Sequence, residues 1–209
     1  MSNSYQKIDL STWIRAEHCQ IFRSHADPSI SVTFDVDITG FHAAGRQQRL
    51  SFTMAMTHAM CTCGNAIENF RYRFLDEEVV VYDSIDPVVS WLNKETMLFK
   101  LVRIPMEADM DSFCRNAVER AEAQERYFDG KPGKDIYICS GIPWIQYTPL
   151  KHATSGKKDN ATPWFHWGKF YERDGRILIP VTVEVNHAFA DGYHLGLFAQ
   201  QLQQYMDQF

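Results

Sequence analysis

Between residues 30 and 38 apolar and polar side chains alternate without a break: Ile30, Val32, Phe34, Val36 and Ile38 against Ser31, Thr33, Asp35 and Asp37. Successive side chains of a strand point to opposite faces, so this stretch predicts a strand with one face in a core and the other turned to water. A chain built around such a strand must form a sheet covered on one side. Further strand signals follow at Tyr72 to Phe74, Val79 to Tyr82, Val88 to Leu92 and Leu98 to Ile104. Turn-prone pairs such as Asp76-Glu77 and Asp86-Pro87 separate them, the spacing of an antiparallel meander. Later strands are expected at Ile136 to Cys139, Phe165 to Tyr171 and Ile177 to Val185.

Helical signals interrupt these runs. The first is Trp13 to Phe22, with Asp9 and Ser11 as candidate caps and Asp27-Pro28 as the stop. Phe52 to Ile67 is rich in Met, Ala and Cys and short of β-branched residues, which reads as a buried helix. A charged amphipathic helix is expected from Asp109 to Tyr127, ended by Asp129-Gly130 and Pro132-Gly133. Near the C-terminus, Leu195, Phe198, Leu202, Tyr205 and Phe209 recur at three- and four-residue steps, a core-facing stripe. Lys151 to Pro163 reads as a surface loop, and no internal repeat is present. Strands outnumber helices and do not alternate with them strictly. The expected fold is therefore α/β, α+β-like in layout, with a mixed, largely antiparallel sheet covered by helices.

At 209 residues, with no linker-like stretch, one domain over 1–209 is the expectation. A formal charge of −5 and the lack of any Lys/Arg run argue against nucleic acid, although a few local cations could still hold a phosphate-bearing ligand. The cysteines, Cys19, Cys61, Cys63, Cys114 and Cys139, are odd in number and lack paired Cys-x-x-Cys spacing, which suits free thiols in a reducing compartment. Cys61 and Cys63 sit in an apolar run without a second ligand pair, so packing is the better reading than metal binding. The polar start, Met1 to Asp9, has no signal-peptide layout, and no apolar run reaches membrane-spanning length. The expected compartment is the cytoplasm, with no membrane partner.

The last strand runs into Asn186-His187-Ala188-Phe189-Ala190-Asp191-Gly192-Tyr193-His194. A histidine at a strand-to-helix junction is aimed by rigid elements on both sides, and its near-neutral pKa suits proton transfer from an alcohol. By spacing alone, the better reading is His187 as an ordinary core or turn histidine and Asp191-Gly192 as the cap of the last helix. A metal role for His187 with His194 is disfavoured, because seven residues across a strand-to-helix break fix no chelating geometry.

His187 to Gly192 resembles the His-x-x-x-Asp-Gly signature of the chloramphenicol acetyltransferases, a superfamily shared with dihydrolipoyl acyltransferases. Trp13-Ile14-Arg15-Ala16-Glu17-His18 is similar to the opening of that family, and Phe70-Arg71 through Tyr82-Asp83-Ser84-Ile85-Asp86-Pro87 to its central hairpin. Glu95-Thr96 with Phe99, Ser140-Gly141-Ile142-Pro143-Trp144, Gly168-Lys169-Phe170 and Leu202-Gln203-Gln204-Tyr205 extend the resemblance, in order, over nearly the whole chain.

The resemblance implies an acetyl-CoA-dependent O-acetyltransferase, with chloramphenicol as the leading acceptor and resistance to that antibiotic as the consequence. It implies His187 as the general base that takes the acceptor's hydroxyl proton, and Ser140 as a hydrogen-bond donor to the tetrahedral oxyanion. Arg15 and Asp191 correspond to an ion pair that braces the histidine loop, and the ring of His187 to one oriented by its own backbone. Phe22, Phe99 and His166 fall at substrate-binding positions. The family further implies a homotrimer with each site at a subunit boundary, coenzyme A and acceptor entering from opposite ends, and no metal. The sequence departs from the pattern at several points. Asn186 stands for the first of two adjacent histidines, and His166 for a threonine. Ile21 and Phe22 replace an aromatic and a tyrosine, and Pro28 a cysteine. The acceptor's identity is therefore left open between chloramphenicol and another small alcohol or thiol, and a trimeric binding protein without turnover is the remaining alternative.

Overall fold

The computed structural model of the chain describes residues 3–151, 153, 156 and 159–209. In chain order, the first half carries β1 (Tyr5–Lys7), α1 (Ala16–Arg23), β2 (Ser29–Asp37), α2 (Thr39–Gln47), α3 (Phe52–Ala66), β3 (Tyr72–Leu75), β4 (Glu78–Tyr82) and β5 (Asp86–Leu92). The second half carries β6 (Phe99–Arg103), α4 (Met110–Ala123), β7 (Ile136–Gly141), β8 (Trp164–Trp167), β9 (Tyr171–Arg173), β10 (Arg176–Asn186) and α5 (Gly192–Met206).

The large sheet has the order β2-β10-β8-β7-β5-β6, with β9 also paired to β10. Strand β7 runs parallel to both of its neighbours, β5 and β8, and the other pairings are antiparallel. This is the expected mixed, largely antiparallel sheet with helices. The alternating segment becomes β2, paired over its full length with β10 from Ser29↔Asn186 to Asp37↔Leu178. Val36, Val181, Val183, Phe165, Cys139, Val89 and Val102 are buried on one side of the sheet against Met54, Met56, Ala59, Met60, Phe198 and Leu202 of α3 and α5. The polar side of β2 continues sideways as a row in which Thr33, Thr182, His166 and Ser140 occupy adjacent strands.

The expected meander is divided. Strands β3 and β4 form a hairpin at Asp76, whose φ is 55°, and with β1 make a separate three-stranded sheet. Strands β5 and β6 instead join the large sheet. The pair Asp86-Pro87 is no turn; it opens β5. The Asp86 carboxylate tolerates burial there because Arg103 donates to it at 2.8 Å and Met106 N at 3.0 Å.

The strand expected from Phe165 to Tyr171 breaks after Trp167. Lys169 N leaves the ladder to donate to Ile145 O, and a Cβ on Gly168 would lie 2.8 Å from the Pro180 ring. Helix α1 starts three residues later than expected, because Asp9 caps an earlier turn instead, accepting from Ser11 N at 2.9 Å. Helix α4 stops at Ala123, since the Gln124 side chain turns back to donate to Leu101 O. Strand β1 is three residues long, and the nine-residue α2 holds two glycines, Gly40 and Gly45, which lower its helix propensity, so neither is expected from the sequence. Gly40 in α2 is needed for contact, because a Cβ there would lie 2.4 Å from the carbonyl oxygen of Phe209.

All five cysteines are free and buried, as packing thiols. Desolvation pushes Cys63 and Cys114 up to about 12. Among the described residues no helix is long and apolar enough to cross a membrane.

Candidate active site

Between β10 and α5 the chain turns through residues 187–191, and Asn186 builds that turn. Its carbonyl accepts from Phe189 N and Ala190 N, and its Oδ1 accepts from Ala188 N at 2.9 Å. Its Nδ2 donates to Asn160 O at 3.1 Å, tying the turn to the segment before β8. Asp191 then caps α5, accepting from Tyr193 N at 3.1 Å, while His194 Nδ1 lies 2.9 Å from the same oxygen.

Arg15, just before α1, clamps this turn with three donors. Nη1 reaches Asp191 Oδ2 at 3.0 Å, Nε reaches Ala188 O at 3.1 Å and Nη2 reaches His187 O at 3.2 Å. Burial pushes the Asp191 carboxyl up, but the hydrogen bonds from Arg15 and His194 outweigh it and hold the group down at about 2. A guanidinium suits this task because its planar fork serves several acceptors at once.

The ring of His187 is half-buried. Phe22 of α1 lies flat on it, with centroids 3.9 Å apart and planes 8° from parallel. Its backbone N donates to Pro28 O at 2.7 Å. Among the described residues Nδ1 has no hydrogen-bond partner, and the residue's own carbonyl is taken by Arg15. The Phe22 stack restrains the plane of the ring.

Ser140 lies half-buried near the end of β7. Its register partner is His166, 4% exposed, which in turn pairs with Thr182. The imidazole of His166 stacks on Trp164, with centroids 5.6 Å apart at 17°. Phe99, on the same sheet face by register and two strands away, is 52% exposed and meets Tyr127 edge-on.

The expected site residues thus form two groups: His187, Phe22, Arg15 and Asp191 in one, Ser140 and His166 in the other. The groups do not meet within one chain. His187 lies one residue past the end of β10 and five beyond Thr182, about 17 Å in the strand direction, and β8 separates β10 from β7.

Two cavities lie at opposite ends of β7. One, of about 410 Å³, includes Gly141, Pro143, Trp144, Lys94, Lys169 and Phe170 in its wall. The other, of about 440 Å³, includes Ile136, Ile138, Trp164, Phe74 and Arg73. Ser140 falls between them along the strand. Lys94 and Trp164 carry no sequence signal of a role. Their neighbours in the cavities come from distant segments, and only the pairing of strands collects them.

The family model described as chloramphenicol acetyltransferase matches residues 3–203. The chain is 31% identical over 209 residues to chloramphenicol acetyltransferase 2 of Haemophilus influenzae, covering 98% of each chain. It is 27% identical over 205 residues to chloramphenicol acetyltransferase 3 of Escherichia coli, covering 96% of each. A solved chloramphenicol acetyltransferase structure superposes with a TM-score of 0.89 at 28% identity, covering 97% of this chain and 100% of the other. The cubic core of the pyruvate dehydrogenase multienzyme complex shares the fold at a TM-score of 0.65 and 14% identity, covering 92% of this chain and 86% of that one. With the match running almost end to end and the braced histidine turn in place, the chain belongs to the chloramphenicol acetyltransferase family.

Proposed function

We propose that the chain is an acetyl-CoA-dependent O-acetyltransferase with chloramphenicol as its leading acceptor, a single domain over 1–209 that acts as a cytoplasmic homotrimer. The observation that carries this reading is the half-buried His187, braced through its turn by Arg15 and Asp191. The roughly 17 Å between it and the Ser140 row supports a site completed across a subunit boundary, where His187 of one copy faces Ser140 of the next. The cavity beside Gly141 suits coenzyme A: Lys94 and Lys169 offer charge to phosphates, and Trp144 and Phe170 offer flat apolar surface to a base. The five free cysteines favour a reducing compartment.

In this reading His187, in neutral form, accepts the acceptor's hydroxyl proton as the oxygen attacks the thioester carbonyl. Ser140 donates a hydrogen bond to the oxyanion, a contribution of about 3 kcal/mol to lowering the barrier. Collapse breaks the carbon–sulfur bond, and the departing thiolate takes the proton from His187. Holding both substrates together makes the transfer direct, with no acyl-enzyme.

The test is thiol release from acetyl-CoA in the presence of chloramphenicol. Turnover is expected, and His187→Ala should abolish it while the variant keeps its circular-dichroism spectrum and oligomeric state. Near-normal turnover in that variant would remove the mechanism. Turnover with other alcohols alone would reassign the acceptor.

A further inference from the structure

We propose that Cys61 and Cys139 form a site of reversible oxidation, which hydrogen peroxide closes to a disulfide, and that closure displaces Ser140. The site stands on the core of one chain, and its effect on turnover rests on the acetyl-transfer reading above.

In the reduced chain the pair packs as two thiols, with sulfurs 3.5 Å apart and both side chains fully buried between α3 and β7. The other cysteines lie elsewhere. Cys19 packs in the smaller cluster with Tyr72 and Phe189, Cys114 is on α4, and Cys63 points about 200° around α3 from Cys61. Small residues bring α3 close to the sheet at this place. Gly64 follows Cys61 by nearly one turn, and a Cβ on it would meet the rings of Phe165 and Tyr137 at 3.0 and 3.3 Å.

A disulfide holds its sulfurs about 2 Å apart, so closure from 3.5 Å takes up roughly 1.5 Å. In a close-packed core the side chains have little room to swing through that distance, and the remainder falls on the backbones of α3 and β7. Ser140 is the next residue of β7, on the opposite face, and moves with Cys139. A shift of about 1 Å at a reacting group costs on the order of a hundredfold in rate.

Peroxide is the one co-reactant. One sulfur attacks a peroxide oxygen and breaks the O–O bond, giving a sulfenic acid and a water that carries off the thiol proton. The second sulfur then attacks the sulfenic sulfur, the S–S bond forms, and a second water leaves with the second proton. Two thiols are oxidised and the peroxide is reduced to water. Burial pushes the Cys61 thiol well above its ordinary value, so thiolate is scarce and closure is slow. The oxidant is uncharged and small, and reaches the pair through local opening of the core.

The experiment exposes the unaltered chain, Cys61→Ala and Cys61→Ser to hydrogen peroxide, blocks the free thiols under denaturing conditions and maps cross-linked peptides by mass. The unaltered chain should lose two hydrogens in a Cys61–Cys139 link and about a hundredfold in kcat, and dithiothreitol should restore both. Either variant should form no such link and keep its rate, and Cys61→Ser decides the matter if Cys61→Ala does not fold. No link, a link of Cys61 to Cys63 instead, a link that leaves kcat unmoved, or equal inactivation of the variants would overturn the inference. If the unaltered chain releases no thiol before oxidation, the acetyl-transfer reading falls by itself. A crystal structure of the oxidised chain then decides: Ser140 displaced toward α3 behind a closed disulfide upholds the inference, and Ser140 in place overturns it.

Discussion

Arg15 gives one side chain three separate tasks, holding the carbonyls of His187 and Ala188 and the carboxylate of Asp191. The consequence is a measurable acid lability. Because the Asp191 carboxyl is held at about 2 against an ordinary 3.8, the stabilisation from its pairing is complete above the ordinary value and is lost as pH falls through the lower one. Thermal unfolding followed between about pH 4 and pH 2 should therefore show a steeper loss of Tm in the unaltered chain than in Asp191→Asn. Equal slopes would mean that the pair contributes nothing to the folded state. The carboxylate is about a third exposed, so solvent screening keeps the total effect modest.

The helix α5 ties this turn to the core. Phe198, fully buried on its inner face, lies nearly parallel to Phe165 of β8 with centroids 5.1 Å apart, and packs on Phe70 at 5.6 Å. Phe198→Ala should cost about 3–5 kcal/mol, read as a fall in the urea midpoint at unchanged slope. A cost under about 1 kcal/mol would mean that the helix stripe read from the sequence is not what anchors α5. The stripe was legible because 3.6-residue periodicity survives in single-sequence form, as did the strict alternation of β2. The end of β8 was not, because the break after Trp167 is set by what the chain meets there, the Pro180 ring and the Ile145 carbonyl. The opening of β5 was hidden for a related reason: Asp86-Pro87 has turn chemistry, and its burial is made tolerable by donors farther along the chain, Arg103 and Met106 N.

Taken as a whole, one chain holds the two halves of the proposed site apart. That separation makes a prediction no monomeric enzyme would meet. His187→Ala and Ser140→Ala chains, each of low activity when pure, should regain thiol release when unfolded together and refolded as a mixture. About a quarter of boundary sites would then pair an intact His187 with an intact Ser140. Failure of the mixture to exceed the sum of its parts, with mixed oligomers demonstrated by mass, would place both groups in a site made by one chain.

The sequence by itself determined the elements whose pattern is local: the half-wet strand at its start, the apolar helix after it and the closing helix stripe. It also marked His187, Ser140, Arg15 and Asp191 through a resemblance of motifs in order along the chain. It could not determine which strands become neighbours, since hydrogen bonds between strands leave no periodicity in either one. Only the tertiary structure set Ser140 beside His166, stacked Phe22 on His187, and placed one cavity at each end of β7. Each of those juxtapositions joins residues that are distant along the chain, and they become neighbours only when the sheet and its helical cover form together.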